Sequence, residues 1–280
     1  MQGRLGNQMF QYAFGLSLSR RLNTTVYYDW RDTPKILLRY FSYPVMSQWL
    51  IGQLVAVRKM LYGKSFTRNL TIDDDRFYPL SKGSEIEATN DTYYEGFFQS
   101  VSYFRDCEEI VREEFRIKSR YVREFERKYR SFYRDNKIIA VHVRRTDYLI
   151  YGSNFLGGPN MTLPLLYYEK VFRLIENIGE YKIIFVGDDL SEVKSHFAGM
   201  KNALFETNGE IVDFQILQNA DILVISNSTF SWWAAYLNPK KDKKVYAPVY
   251  WLGYKVKKDY PGAIYDKVSW NIVDFVGPDK

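Results

Sequence analysis

Residues 138–148 read IIAVHVRRTDY, an apolar strand that runs directly into a cluster of charge. The first six residues are mostly β-branched and apolar, which predicts a strand buried on both faces. His142, Arg144, Arg145 and Asp147 then lie at or just beyond the carboxyl end of this strand. The strand predicts an α/β sheet, and the side chains at its end predict a ligand site at the edge of that sheet.

The rest of the second half alternates between strand-like and helix-like segments. Strands are predicted for KIIFVG, ALF, DILVIS and KVYAPV. Helices are predicted for residues 163–178, for a short segment after Asp189, and for residues 211–220 and 229–237. This alternation predicts a doubly wound parallel sheet with helices on both faces. Such sheets bind ligands at the carboxyl ends of their strands, where the strand order reverses.

Two adjacent guanidinium groups at a strand end favour an anionic ligand. Arginine stays charged and can bind phosphate oxygens through two parallel hydrogen bonds, so Arg144 and Arg145 predict a diphosphate. A structural salt bridge between one arginine and Asp147 is the alternative.

The next strand, in IIFVGDDL, ends at a pair of carboxylates, Asp188 and Asp189. Carboxylates in this position can accept hydrogen bonds from ribose hydroxyls or from the edge of a guanine. Asp189 could equally cap the helix that follows, and the two roles are compatible.

A third strand end lies within ISNSTFSWWAAYL, residues 225–237. Asn227, Ser228 and Thr229 fall at the turn into a helix, whose N-terminal N–H groups can bind phosphate without a lysine or a metal. Plain N-capping by Ser228 or Thr229 is the alternative. Trp232 and Trp233 lie within the helix, and we expect both in the core.

The chain opens with two glycines and an amide pair. GRLGNQMFQYA, residues 3–13, predicts a glycine-punctuated loop at a helix start, where Gly6, Asn7 and Gln8 could approach a ligand. An ordinary tight turn is the alternative reading of the same spacing. Apolar residues then recur at helical spacing, and residues 24–29, TTVYYD, predict a strand.

The middle of the chain is strongly aromatic. Residues 93–104, YYEGFFQSVSYF, predict a short strand that leads into a helix, and residues 106–136 predict one or two amphipathic helices. We place a domain junction at their end, which divides the chain into residues 1–135 and 136–280.

Composition bounds the class of protein. The chain has 280 residues, 46% of them hydrophobic, and a formal net charge of +6, which favours anionic partners such as nucleotides or an acidic membrane surface. The short lysine runs near the C-terminus are typical of solvated loops, so no nucleic-acid partner is expected. Cys107 is the only cysteine, which excludes an internal disulfide. Since the sequence shows neither a long apolar run nor a leader, we expect a cytoplasmic protein.

Support for a metal site is weak. DDDRF, residues 73–77, contains an Asp-x-Asp that could hold a divalent ion, but it lies in an irregular polar stretch that is typical of a solvated loop. The two histidines, His142 and His196, are not at metal-ligand spacing, and His196 is expected on a helix surface. No metal ligand is therefore assigned.

Five motifs, taken in order and at their intervals, resemble those of the glycosyltransferase family that contains the α-1,2-fucosyltransferases. They are GRLGNQMFQYA, YYEGFFQSVSYF, VHVRRTDY, FVGDDL and SNSTFSWWAAYL. The resemblance spans nearly the whole chain. It implies two facing Rossmann-like domains in the GT-B arrangement, an acceptor side in the first and donor binding in the second. It also implies inverting transfer of L-fucose from GDP-β-L-fucose to the 2-hydroxyl of a terminal galactoside in a glycan, without a metal or other cofactor.

The resemblance also implies roles for individual residues. Arg144 would hold the pyrophosphate of GDP, and Gly6, Asn7 and Gln8 would line the cleft from the opposite domain. The remaining donor-binding residues would be His142, Arg145, Asp188, Asp189, Asn227, Ser228, Thr229 and Phe230. Some related fucosyltransferases carry a glutamate base shortly after the Arg-Arg-x-Asp stretch, whereas this chain reads YLIYGSNF there. Asp147 is therefore the candidate base, or else it orients Arg145. Peripheral contact with the inner face of a membrane is compatible with the basic charge.

Overall fold

The computed structural model describes residues 1–30, 33–42, 45–72, 86 and 88–277. The chain divides into two compact units, which are described separately below. The first comprises Met1–Lys118 and Gly262–Lys267, and the second comprises Ser119–Pro261 and Val268–Lys280.

The first unit combines helices with a small parallel sheet. Its helices are α1 (Leu5–Arg21), α2 (Ile36–Tyr40), α3 (Val45–Tyr62) and α4 (Glu108–Glu114), and its strands are β1 (Arg68–Thr71) and β2 (Thr92–Glu95). Strand β1 pairs with β2 in parallel. Short 3-10 turns follow β2, so the predicted order of strand and then helix over residues 93–104 is confirmed, as are the helices predicted between 106 and 136.

The strand predicted for residues 24–29 is wrong. This segment is extended, but the described residues offer its backbone no strand partner. The side-chain amide of Gln48 replaces a neighbouring strand as the hydrogen-bond partner. Its Oε1 accepts from the Tyr28 N–H at 3.0 Å, and its Nε2 donates to the Val26 carbonyl at 2.7 Å. One amide thus satisfies the backbone groups that a neighbouring strand would otherwise bind.

The glycine-punctuated start differs from the predicted loop. Helix α1 already begins at Leu5, so Gly6, Asn7 and Gln8 lie in its first turn. Only Gly3 has a left-handed backbone, with φ of +71°. Gln8 is fully buried, and its amide donates to the carbonyls of Gly3 and Pro34 and accepts from the Leu37 N–H. The Gln8 amide therefore joins the start of α1 to Pro34 and to the first turn of α2.

The second unit contains a six-stranded parallel sheet. In chain order its strands are β3 (Lys137–Val143), β6 (Tyr181–Gly187), β7 (Ala203–Glu206), β8 (Ile222–Val224), β9 (Lys244–Pro248) and β10 (Asn271–Val273), and a small hairpin of β4 (Gly152–Ser153) and β5 (Gly158–Pro159) stands apart. The order across the sheet is β10-β9-β8-β3-β6-β7, and each pair is parallel. The predicted doubly wound parallel sheet is confirmed.

Helices connect these strands. They are α5 (Ser119–Asp135), α6 (Leu165–Leu174), α7 (Ser191–His196), α8 (Glu210–Gln218) and α9 (Thr229–Tyr236). Helix α6 ends four residues before the predicted limit of 178. Strand β10 was not predicted, because three residues at a sheet edge carry little pattern. Trp232 and Trp233 are fully buried, as expected.

The second compact unit begins at Ser119, whereas the predicted donor-binding half begins at residue 136. Helix α5 packs on α8 through hydrogen bonds such as Tyr133 Oη to the Ile216 carbonyl at 2.7 Å and Gln215 Nε2 to the Tyr121 carbonyl at 3.1 Å. The apolar periodicity of residues 106–136 predicted an amphipathic helix. It could not show against which unit the apolar face of that helix packs. The acceptor and donor roles of the two halves stay predictions.

Candidate nucleotide-sugar site

Three neighbouring strands of the second unit end in the polar motifs singled out above. Strand β3 lies between β6 and β8, and Arg144, Asp188 and Asn227 follow these strands within three residues. The chain moves from β3 outward through β6 and β7, then returns to the other side of β3 at β8. This reversal is the place where open parallel sheets bind ligands.

Close packing brings two of these strand ends together. A Cβ atom added to Gly187 at the end of β6 would lie 2.1 Å from the carbonyl oxygen of Val143 at the end of β3. No side chain fits in that space, so glycine allows Asp188 to follow immediately beside the arginines.

Arg144 is held by two carboxylates. Its Nη1 lies 2.9 Å from Asp188 Oδ2 and its Nη2 lies 2.6 Å from Asp147 Oδ2. The guanidinium side chain is only 12% exposed, whereas that of Asp147 is 50% exposed. The salt bridge between an arginine and Asp147, which the sequence offered as an alternative, is thus present. The guanidinium N–H groups outside these two ion pairs remain able to bind an anion.

Asp188 positions the loop that carries Arg144. Its Oδ1 accepts from the Arg145 backbone N–H at 2.7 Å, and its Oδ2 accepts from the Thr146 hydroxyl at 2.6 Å. Together with the ion pair to Arg144, these contacts engage both carboxylate oxygens. The geometry therefore favours a positioning role for Asp188 over a direct contact with ribose.

Arg145 does not share the surroundings of Arg144. It is buried, and its Nη2 lies 3.0 Å from Glu192 Oε2 in an ion pair that does not meet hydrogen-bond geometry. That nitrogen has no hydrogen-bond partner among the described residues. The two adjacent arginines therefore need not bind the same ligand. Asp147 contacts Arg144, and not Arg145 as the sequence reading allowed.

His142 is neutral in this environment. Burial, and next the charge of Arg144, lower its pKa to about 3. Its Nδ1 shares a hydrogen bond of 2.7 Å with the Ser226 hydroxyl, which links β3 to the segment after β8. The ring lies 5.4 Å from that of Phe230, between ring centroids. His142 can therefore offer packing and a neutral imidazole, but no positive charge.

The turn into α9 is arranged around buried polar side chains. Asn227 is fully buried, its Nδ2 donates to the Met161 carbonyl at 2.9 Å, and its Oδ1 has no hydrogen-bond partner among the residues that are described. Ser228 is the N-cap residue of α9, yet its side chain makes no capping hydrogen bond, so the plain capping alternative fails for it. Thr229 is the first helical residue, and the first-turn N–H groups of α9 are of the type that binds phosphate.

Asp189 stabilises the start of the next helix. Its Oδ1 accepts from the backbone N–H of Ser191 at 2.9 Å and from the Ser191 hydroxyl at 2.7 Å. These hydrogen bonds lower the pKa of the Asp189 carboxyl. The helix-capping alternative is present, and a contact with the nucleoside stays a prediction.

Sequence reasoning did not single out Tyr148. The Arg144 guanidinium lies 5.4 Å from the centroid of the Tyr148 ring, and the Tyr148 hydroxyl donates to the Asn227 carbonyl at 3.1 Å. Tyr148 thus joins the end of β3 to the turn before α9. Its place in the motif RRTDY could have indicated this, because aromatic faces stabilise guanidinium groups.

Asp213 on α8 was also missed. It is buried, and burial raises the pKa of its carboxyl to about 7, although Asn208 Nδ2 donates to its Oδ1 at 3.0 Å. The next residue, Phe214, packs edge-on against Phe230 at 5.4 Å between ring centroids. An aspartate inside an otherwise apolar helix was the available signal.

Residues 1–271 match the profile of glycosyl transferase family 11. The chain belongs to glycosyltransferase family 11. It is 25% identical to the O-antigen biosynthesis glycosyltransferase WbnK of Escherichia coli, over 90% of this chain and 93% of that protein. It is also 25% identical to an alpha-1,2-colitosyltransferase of Escherichia coli, over 90% of this chain and 91% of that protein.

Solved structures show the fold of this family 11 chain. POFUT1 in complex with GDP matches with a TM-score of 0.52 at 10% identity, over 88% of this chain and 95% of that chain. The fucosyltransferase NodZ from Bradyrhizobium matches with a TM-score of 0.51 at 14% identity, over 84% and 89%. The fold class predicted from the sequence, GT-B, is confirmed by these likenesses.

Two of the three residues that the sequence places at a cleft in the first unit are buried. Gly6 and Gln8 are buried, and Asn7 is half-buried, with its Oδ1 accepting from Gln99 Nε2 at 3.0 Å. Of the three, Asn7 alone offers surface to a ligand.

Metal ligands and membrane-spanning helices were two further questions raised by the sequence. Within the described ranges, no group of three or more metal-ligating side chains is found, but the stretch 73–77 lies outside those ranges. No helix among the described residues is long and apolar enough to cross a membrane.

Proposed function

We propose that this family 11 glycosyltransferase transfers L-fucose from GDP-β-L-fucose to the 2-hydroxyl of a terminal galactoside in a glycan, with inversion at the sugar carbon. The observation that carries the proposal is Arg144, held by two carboxylates at the point where the strand order reverses. The proposed donor has a nucleoside-diphosphate leaving group, and this guanidinium is placed to bind one.

In the proposed reaction Arg144 and the N-terminus of α9 stabilise the departing diphosphate. Each well-placed donor in such a site contributes about 3 kcal/mol to the stability of the transition state. His142, Asp188 and Tyr148 would act by positioning, because their polar atoms already bind neighbouring groups of the protein. Arg145 would stabilise the loop after β3 through its ion pair with Glu192.

Asp147 is the candidate base for the acceptor hydroxyl. Half of its side chain is exposed, and it is the carboxylate next to Arg144 that is not engaged by backbone N–H groups in the described residues. Since Asp188 anchors Arg144 independently, Asp147 could leave the ion pair when the diphosphate binds. The base assignment and the acceptor both rest on the resemblance and on this geometry.

A colitosyl donor is the second candidate, because one relative is an alpha-1,2-colitosyltransferase at the same 25% identity as the other. A nucleotide-binding module without transferase activity and a metal-dependent sugar transferase are the remaining alternatives. Peripheral membrane contact stays a prediction for the chain as a whole.

The test is a transfer assay with GDP-fucose and GDP-colitose against terminal β-galactosides, with and without EDTA. We expect GDP-fucose turnover that EDTA leaves unchanged. Preference for GDP-colitose would establish the second candidate, and loss of activity with EDTA that manganese restores would establish the metal-dependent alternative. If calorimetry detects GDP binding but neither donor is used for transfer, the protein is a nucleotide-binding module without transferase activity.

A further inference from the structure

Helix α3 in the first unit carries an exposed apolar stripe. At about 100° per residue, the exposed large apolar side chains between Trp49 and Leu61 fall within an arc of about 140°. Their exposed fractions range from 48% to 77%, and the stripe consists of Trp49, Leu50, Leu54, Val57, Met60 and Leu61, with exposed Tyr62 at the end of the helix.

The opposite face of α3 fixes the helix to the first unit. Gln48 is buried and bonded to the segment 26–28, and Arg58 forms a bidentate ion pair with Asp91. A Cβ atom on Gly52 would lie 3.2 Å from the ring of Tyr27, which shows how closely this face packs. Helix α3 is therefore packed on the first unit through this face, and the apolar stripe lies on the side turned away from that unit.

The segment of chain that carries the stripe has charges of one sign only. Residues 33–72 contain no Asp or Glu and six Lys or Arg residues, and the run ends at Asp73–Asp75 in the sequence. Lys64 and Arg68 are exposed beyond the C-terminal end of α3, and no ion pair is found for them among the described residues. An apolar face beside unpaired cations complements a surface that is both apolar and anionic.

We propose that α3 lies flat in the headgroup region of a bilayer that contains anionic phospholipid, and so docks the first unit on a membrane surface. Helices of this type bury an apolar face by about 5–10 Å, with aromatic residues at the interface and Lys or Arg at the phosphates. Trp49 lies within the exposed apolar face, where interfacial helices carry aromatic residues. A second copy of the chain fits less well, because pairing two such faces would bring the cations of both copies together.

The proposal is tested by co-sedimentation with vesicles of phosphatidylcholine alone or mixed with phosphatidylglycerol. The variant Leu54→Glu places a charge in the stripe, and we expect it to weaken partitioning into the mixed vesicles by about tenfold or more. Leu174→Glu on α6 is the matched control, since Leu174 is also exposed and the change in net charge is the same. It should leave partitioning unchanged. Melting temperatures of both variants check that they fold.

Further readouts separate insertion from simple charge attraction. The fluorescence of Trp49 should shift to shorter wavelength with mixed vesicles, and the Trp49→Phe variant should lose that shift. Lys64→Gln should weaken binding in low salt and have little effect in high salt.

The proposal is overturned if the wild-type chain does not bind the mixed vesicles, or if Leu54→Glu and Leu174→Glu weaken binding equally. It is also overturned if the chain forms a dimer that Leu54→Glu dissociates while vesicles have no effect, which would assign the stripe to a second copy. None of these readouts depends on sugar transfer.

Discussion

Arg144 and Arg145 are adjacent in the sequence but lie in different environments. Arg144 keeps a small exposed fraction and binds Asp147 and Asp188, whereas Arg145 is buried beside Glu192. The sequence could predict that charge gathers at the end of β3, because an apolar run followed by RRTD is visible in any reading. It could not predict which arginine faces the site, since that depends on the backbone after β3 and on which carboxylates lie nearby.

Replacing Arg144 tests the centre of the site. Arg144→Ala should lower kcat/KM for the nucleotide sugar by at least about a hundredfold, equivalent to about 2.7 kcal/mol, because the diphosphate loses a charge-assisted fork. Arg144→Lys should restore little, since an ammonium group cannot form two parallel hydrogen bonds. Arg134→Ala on α5 is the surface control. Turnover near the wild-type rate in either Arg144 variant would contradict the assignment.

Asp147 and Asp188 should differ in effect although both contact Arg144. Asp147→Asn should leave the Kd for GDP nearly unchanged and abolish transfer, because Asp188 still anchors Arg144 while the amide cannot accept a proton. Asp188→Asn should weaken GDP binding, because Arg144 loses the less exposed of its two carboxylate partners. Calorimetry with GDP beside turnover measurements distinguishes the two. Parallel losses of affinity and rate in Asp147→Asn would show that it only braces Arg144.

Asp213 predicts a dependence of stability on pH. Because burial raises its pKa to about 7 in the folded chain, the folded state holds a proton that the unfolded state releases above about pH 4. Its contribution to stability is therefore present in acid and is lost as the pH rises toward 7. Asp213→Asn should raise the Tm more at about pH 8 than at about pH 5. The exposed Asp242→Asn is the control, and equal shifts at both pH values would refute the assignment.

At the scale of elements, the sequence predicted best where strands are buried on both faces. The core strands β3, β6 and β8 are apolar runs, so their pattern does not depend on their neighbours. Residues 24–29 have the same β-branched and aromatic character, but whether they form a strand depends on a partner that lies elsewhere in the chain. Gln48 supplies the hydrogen bonds instead, which no local pattern could indicate.

The close approach of β3 and β6 predicts a specific cost for a single methyl group. Gly187→Ala should destabilise the fold by about 1–3 kcal/mol, because the new Cβ must displace the Val143 carbonyl. It should also weaken GDP binding, since Arg144 and Asp188 follow directly after the displaced residues. Gly199→Ala is the matched control, because nothing lies within 4 Å of its added Cβ. Urea titration and calorimetry measure both effects, and indistinguishable variants would contradict the prediction.

At the scale of the whole molecule, the two compact units are interleaved in sequence. The chain completes the first unit with Gly262–Lys267 and then returns to the second to form β10 and to bury Phe275. No pattern in the sequence indicates this return, because six irregular residues carry no periodicity. A boundary drawn at a single position, as at residue 136, therefore describes neither unit completely.

Truncation should show this interleaving directly. A chain that ends at Pro261 lacks part of the first unit as well as β10 and Phe275, so we expect it to lose cooperative unfolding and to accumulate as insoluble protein. A chain that ends at Gly277 retains these residues and should melt like the full-length protein. Circular dichroism during heating compares the two, and a cooperative transition in the shorter chain would show that residues 262–277 are dispensable.

The return of residues 262–267 to the first unit also sets the order in which a ribosome can finish the molecule. The segment Met1–Lys118 is synthesised first but receives its last piece only after almost the entire second unit has been made. During that interval the early segment stays incomplete and open to contacts with other nascent chains, while the later parallel sheet also waits for its edge strand. Slow translation or expression in the cold helps chains whose domains emerge one after another, but it should not improve the folding of this protein. Co-expression of a chaperone that binds the early segment should improve it.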